Sequence, residues 1–434
     1  MDTTNFFKEH FDRLQSKGSN GSLAVIRQNA FHSFTEKGIP AARNEEWKYT
    51  RISSIFNKEY NYPLFVENLG EQELNEIRLP GHETANELFF INGNFAKEHS
   101  TIRSSNLVVL SLEEASKNEY KEIVAANLGH SSKYLKDGIN ALNTAFVNSG
   151  IFLHVKKGNT AEHPVYIYQL TDARSVNILS QPRILVHLAE NARLQVTEIS
   201  KTLGSGESFT NGVMEIAVEK DASFEYYKIQ NDAAHTNQVS TTHIRQLGKS
   251  YVHTVTLSLD GNIVRNNLNM VMEAEHSEAH LYGLYFLKGQ SHIDNHTVVD
   301  NVKPHCYSNE FYKGILDDNA TGVFNGKIFV QPQAQKTNAY QSNKNILLSD
   351  GATVNTKPQL EIFADDVKCS HGCTIGRLDE EGLFYLRSRG ISEDMARALL
   401  VNAFAVDVLE EIKLPVIRVY AEQLISERLN LETA

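Results

Sequence analysis

Between about Ile151 and Asp366 the chain is written as short runs of β-branched and aromatic residues. Val165-Tyr166-Ile167-Tyr168, Ile184-Leu185-Val186-His187, Met214-Glu215-Ile216-Ala217-Val218 and Tyr251-Val252-His253-Thr254-Val255 are examples, and no long helical pattern interrupts them. Small turn clusters recur between the runs: Lys157-Gly158-Asn159, Glu190-Asn191-Ala192, Lys220-Asp221-Ala222, Leu247-Gly248-Lys249, Glu275-His276-Ser277, Asp318-Asn319-Ala320 and Asp350-Gly351-Ala352. Most steps are about 30 residues, the period of stacked structural repeats. A β-sandwich would instead reverse every ~8–12 residues through hairpin loops. The pattern therefore predicts a mainly β fold built as a β-helix, with the longer step from His276 to Asn319 expected to be an irregular rung.

Helical patterns flank this core. Phe7, Phe11 and Leu14 recur at i, i+4 and i+7, and Ser22 is placed to cap a second helix with the stripe Leu23, Ile26, Ala30 and Phe34, ended by Gly38 and Pro40. The mixed-charge stretch Ala42-Arg43-Asn44-Glu45-Glu46-Trp47-Lys48-Tyr49-Thr50 holds the only tryptophan and reads as a packing device. From about residue 64 to 140, apolar runs such as Leu88-Phe89-Phe90-Ile91, before the turn Asn92-Gly93-Asn94, mix with a helical stretch around 112–128, as in a small α+β region. Near the other end, Ser392 is an N-cap with Glu393 and Asp394 in the first turn, where acidic groups favour the helix dipole. Met395, Leu399, Ala403 and Val406 follow as an apolar stripe, and a last helix starts near Pro415 with Ile417, Tyr420, Leu424 and Leu429. Such helices either cap the exposed edge of a solenoid or dock a partner. The expected division is 1–140 (helical and α+β), 141–376 (β-helix) and 377–434 (helical).

Two of the three cysteines lie in Cys369-Ser370-His371-Gly372-Cys373. In an extended segment, side chains at i and i+2 share a face about 7 Å apart, so Cys369 and His371 point the same way, and Cys373 joins them if Gly372 does not turn the chain. Thiolate and imidazole suit iron, zinc or copper(I), whereas the spacing closes no tetrahedral structural zinc site. The stretch is either an incomplete metal-handling edge or ordinary packing. His235, His243, His253, His276, His280, His292, His296 and His305 crowd the solenoid and are expected at solvent-facing positions. Cys306 is expected to pack, since His305 beside it faces the other way. Asp317-Asp318 reads as a turn, and adjacent Asp365 and Asp366 face apart, which disfavours paired acid/base work.

A formal charge of −11 disfavours nucleic acid. Three cysteines imply a reducing compartment without a disulfide framework. The first residues lack a signal-peptide pattern, and the most apolar segment, 398–409, is far short of the ~20 residues that span a bilayer. A cytoplasmic protein without membrane attachment is expected. No phosphate-binding Gly-rich loop, nucleophile elbow or dinucleotide fingerprint is present.

The run Lys357-Pro358-Gln359-Leu360-Glu361-Ile362-Phe363-Ala364-Asp365-Asp366-Val367-Lys368-Cys369-Ser370-His371-Gly372, continuing to Leu383-Phe384-Tyr385-Leu386-Arg387-Ser388-Arg389-Gly390-Ile391, resembles the SufB/SufD family of iron–sulfur cluster assembly proteins. The 42–50 stretch, Leu142-Asn143-Thr144-Ala145-Phe146, Val323-Phe324-Asn325-Gly326 and Lys336-Thr337 extend the resemblance over nearly the whole chain. It implies a right-handed parallel β-helix between helical ends, and a non-catalytic scaffold subunit paired with a SufB-like paralogue. It also implies a SufC-like ATPase docked on the C-terminal helices around Met395, Leu399, Ala403 and Val406. A transient iron–sulfur cluster would be shared with the paralogue through His371, with Cys369 as a second candidate and no cofactor held permanently; the isolated chain is expected to be a homodimer. Cys373 stands where relatives commonly carry alanine and is expected to pack. Two other readings remain: a purely structural scaffold, and a β-helical carbohydrate-active enzyme.

Overall fold

In the computed structural model, residues 3–16, 23–41, 43–63 and 69–431 are described. Over these described residues the chain alternates between two sheets of ten strands each. Arg193–Leu203, Ser223–Asn231, Tyr251–Asp260, Glu278–Leu287, Tyr307–Leu316, Asn338–Leu347 and Lys368–Gly376 follow one another in the first sheet, and the intervening strands, ending in Thr353–Ile362, build the second. Asn94–Thr101 and Leu107–Ser111 join antiparallel at the start of the two sheets; along the rest each strand pairs in parallel with a strand of the neighbouring turn, and the ladder Ser223, Tyr251, Glu278, Tyr307, Asn338, Lys368 runs without a slip. This is a parallel β-solenoid. Its register stacks like on like: Leu194, Phe224, Val252 and Ala279 form one inward column, Val196, Tyr226 and Leu281 its neighbour.

The outer faces are covered too. Tyr227, Val255, Leu257 and Phe286 of the first sheet pack under Val401, Ala405, Val408, Ile417 and Ile425 of the C-terminal helices. Phe209 and Val239 of the second sheet pack under Phe7, Phe34, Trp47, Phe56 and Phe146. Burial on both faces explains why strands such as Ile151–Val155 read as unbroken apolar runs, and each large side chain so enclosed contributes roughly 1.5–3 kcal/mol. The last rung differs, for neither Thr353–Ile362 nor Lys368–Gly376 contains a buried residue.

The turns fall at two corners, and this corrects the expected irregular rung. One corner is built by Asn191, Asp221, His276, His305 and Lys336, all in the left-handed region with φ between 57° and 61°. Successive turns are stitched by backbone bonds, such as Asn191 N–H to Lys220 O at 2.9 Å and His305 N–H to Gln335 O at 2.9 Å. Asp318 and Asp350 belong to the opposite corner, so the step from His276 to Asn319 crosses the solenoid. The period continues at His305 and Lys336 without a break.

The N-terminal helices are Thr3–Ser16 and Ala24–Lys37, the second closed by Gly38 at φ 64°, whose N–H donates to Phe34 O at 2.8 Å. The cap expected at Ser22 lies outside the described residues, as do Ala42 and residues 64–68; the helix follows Leu23 with no side-chain cap. Trp47 does pack: it is 1% exposed, its Nε1–H donates to Asp137 at 3.1 Å, and the Arg265 guanidinium lies 3.8 Å from its ring centre. Strand Asn86–Ile91 turns through Asn92 and Gly93 into Asn94–Thr101 and pairs in parallel with Val165–Asp172, so these two strands extend the solenoid's first sheet. At the far end, Ser392 Oγ accepts from Met395 N–H at 3.4 Å and opens helix Glu393–Leu409, followed by Pro415–Arg428. Among the described residues no helix is long and apolar enough to cross a membrane.

Candidate functional site

Strand Lys368–Gly376 is held on one side only. It pairs with Asn338–Leu347, placing Cys369, His371 and Cys373 opposite Ala339, Gln341 and Asn343, and it ends its sheet. Gly372 lies within the strand and does not turn it, so the three side chains share the inward face of the solenoid. Among the described residues no further rung covers them. His371 and Cys373 are exposed, and a side chain built at Gly372 or Gly376 would meet nothing within 4 Å. Cys373 therefore does not pack within this chain, contrary to the expectation. Cys369 is half-buried against the interior cluster, and burial raises the pKa of its thiol above the ordinary value.

A sequence reading by single motifs misses what lies beneath. The column that reaches His371 runs Leu281, Glu310, Gln341, His371 and turns from apolar to polar toward the open end. Glu310 is buried, desolvation pushes its carboxyl up to about 7, and Gln341 Nε2–H donates to it at 2.6 Å. The spacing 281, 310, 341, 371 was the available signal. Gly326 of the facing sheet makes room for Gln341, since a Cβ there would collide with the amide.

The entry turn anchors the rung. Lys336 N–H donates to Asp366 O at 2.6 Å, Asp366 N–H to Gln335 Oε1 at 2.9 Å and Lys368 N–H to Thr337 O at 2.9 Å, so Asp365 and Asp366 serve as a turn. Among the described residues no group of three or more His, Cys, Asp or Glu is placed to hold a metal ion. The edge offers one exposed imidazole and two thiols, an incomplete ligand set.

The other chemistry-bearing candidates resolve as structure. Cys306 is buried as expected, its thiol pushed up to about 11, with Sγ–H donating to Ala274 O at 3.3 Å. His243, His253 and His296 correct the solvent-facing expectation, for all three are buried. His243 meets His130 at 2.8 Å and His253 meets Glu411 O at 2.7 Å, while desolvation depresses their pKa values to about 3 and about 4. On the C-terminal helix, the buried face is Val401, Ala405, Val408 and Leu409, whereas Met395 and Leu399 are 40% and 39% exposed, Ala403 is exposed and Val406 half-buried. The stripe read from the sequence is thus the helix's outward face. Beside it, helix Glu380–Ser388 has no buried residue and exposes Phe384 and Tyr385.

A solenoid with a covered flank, an open last rung bearing thiol and imidazole, and an uncovered apolar helix face has the form of an assembly scaffold component. Comparison with known proteins agrees. The family description "SUF system FeS cluster assembly, SufBD core domain" matches residues 169–404, and "SufBD protein N-terminal region" matches residues 2–167. A SufBD family iron–sulfur cluster assembly protein of Synechocystis is 32% identical over 96% of this chain and 94% of its own. The iron–sulfur cluster assembly protein SufD of Escherichia coli is 28% identical over 95% and 94%. The chain belongs to the SufBD family of the SUF iron–sulfur cluster assembly system and is SufD-like.

Proposed function

We propose that this chain is the SufD-like subunit of a SUF scaffold that pairs, through its open last rung, with a SufB-like paralogue and presents His371 to a cluster under assembly. The observation that carries this reading is the uncovered inward column, with His371 exposed where a second solenoid end could complete the ligand set. The cluster is cargo here. An imidazole nitrogen is a weaker and more labile iron ligand than a thiolate, which suits a product that must leave. Cys369, half-buried against the interior, is the secondary donor. Without the paralogue, the same unpaired edge is available to a second copy, which supports a homodimer of the isolated chain.

Met395, Leu399, Ala403 and Val406, with Phe384 and Tyr385 beside them, form the surface assigned to a SufC-like ATPase. Movement there has a mechanical route to the site. Lys313 Nζ bonds Asp407 at 2.5 Å and Phe404 O at 2.8 Å, tying helix Glu393–Leu409 to Tyr307–Leu316, the strand two rungs before His371. ATP hydrolysis belongs to that partner, and this chain acts without catalysing a reaction.

The test is anaerobic reconstitution of the co-purified complex with iron and sulfide, with and without His371→Ala, read by the visible absorbance of the cluster. Loss of the cluster from an intact complex is expected. An unchanged cluster would leave the chain a structural partner, and a complex that fails to assemble would make His371 part of the interface instead.

A further inference from the structure

Neither core packing nor the scaffold role gives Cys373 a task. It stands two positions beyond His371 on strand Lys368–Gly376 and on the same face, so the two side chains are neighbours. Both are exposed, and neither side chain has a hydrogen bond, ion pair or ring contact among the described residues. Beneath Cys373, the Asn343 Nδ2 donates to Tyr285 O at 3.1 Å and to the Tyr312 carbonyl at 3.2 Å, while its Oδ1 accepts from Asn345 at 2.7 Å. That amide is satisfied within the lumen and makes no claim on the sulfur above it.

Cys369 lies as far from His371 on the other side, but its surroundings differ. Its column continues Ala279, Ser308 and Ala339, and its side chain is half-buried against the interior cluster. Turning that sulfur outward would break apolar contacts, a cost that exposed Cys373 does not carry.

The spacing suits a chelate. Alternate residues of a strand stand about 7 Å apart, whereas bonds of about 2.3 Å to sulfur and 2.1 Å to nitrogen set the two donors of a tetrahedral centre about 3.6 Å apart. Two exposed side chains leaning together close that gap. A thiolate with an imidazole selects borderline and soft cations, and leaves magnesium and calcium to oxygen ligands.

We propose that His371 and Cys373 form a two-donor chelate for one borderline metal ion, with Cys369 the lesser donor. Binding releases the thiol proton to solvent and leaves the remaining positions of the centre to water or to a partner's side chains. That this ion is the iron of a growing cluster rests on the scaffold role proposed above. The chelate itself does not, and cobalt(II) tests it on the chain alone.

The full chain, reduced and anaerobic, is titrated with cobalt(II) and followed by the near-ultraviolet thiolate-to-cobalt charge-transfer band, which requires a coordinated sulfur. A saturable band is expected, lost to excess zinc(II) or iron(II) and indifferent to magnesium. Cys373→Ser should abolish the band, and His371→Ala should weaken cobalt binding at least tenfold while the sulfur signature remains. Cys369→Ser should change the affinity less than threefold. No band in the native chain, a band that survives Cys373→Ser, or one that disappears with Cys369→Ser overturns the chelate. Cys373 and His371 are exposed, so both variants should keep the native melting curve. Because the titration uses neither paralogue nor cluster, it fails independently of the scaffold role, which a cluster indifferent to His371→Ala would sink while the cobalt site stood.

Discussion

A carboxyl sealed in the lumen under His371 gives the molecule a pH signature. The pKa of Glu310 is raised from 4.5 to about 7, so folding favours its neutral form. Between those values the folded state holds a proton that the unfolded state has released, and stability falls as pH rises. The contribution is therefore complete below about pH 4.5 and lost by about pH 7, on the order of 3 kcal/mol. Glu310→Gln should flatten this slope in denaturant melts at pH 5 and pH 7.5; an unaltered slope would place the titration elsewhere. The thiols make a second residue-scale prediction. Iodoacetamide should label exposed Cys373 first, and should reach Cys306 only when the chain unfolds, because burial denies that sulfur both access and its thiolate. Mass spectrometry of the native and denatured chain reads the order, and adding the SufB-like paralogue should protect Cys373 if the last rung is its seat.

Among the elements, helix Glu393–Leu409 connects the outer surface to the sheet. Its inward residues Val401, Ala405 and Val408 are held by apolar burial, while Lys313 adds a directional tie, with Nζ 4.4 Å from the Phe404 ring centre as well as bonded to the helix. Lys313→Met keeps the length of the side chain but removes its bonds to Asp407 and the Phe404 carbonyl, a loss of about 1–3 kcal/mol that a thermal melt would register. The more telling result is functional. Complexes carrying Lys313→Met should still co-purify yet yield less cluster per ATP hydrolysed, and full coupling would remove this side chain from the transmission route. The stripe Met395, Leu399, Ala403 and Val406 shows how helical periodicity can mislead. Apolar residues at i, i+4, i+8 and i+11 mark a face, but whether that face turns inward depends on what competes with it, and Val401, Ala405 and Val408 fit the sheet better.

For the whole molecule, the decisive feature is a solenoid left open at one end. Phe363 and Ile375 are 58% and 51% exposed there, beside two unpaired strand edges. Ile375→Lys or Phe363→Lys should change the melting free energy of the isolated chain by only about 0.5 kcal/mol. The same changes should weaken association with the paralogue, or with a second copy, at least tenfold by sedimentation; unchanged association would move the interface off this rung. Much of this architecture was legible beforehand. The recurring turns and β-branched runs determined a parallel solenoid because a rung of this length stacks on its neighbour in register, and alternation alone put Cys369 and His371 on one face. The segment around Trp47 was legible as packing for the same local reason, a large ring flanked by charges. Local spacing could not say which of two corners a turn belongs to, so the crossing from His276 to Asn319 looked like a defect. Nor could it separate buried from exposed histidines, since both sheet faces are covered along most of the solenoid and bare at its end. Only the tertiary structure decided that Cys373 lies open and that Glu310 sits beneath His371. Burial, desolvation and hydrogen-bond satisfaction depend on neighbours about 30 or more residues away in the chain, which no local pattern contains.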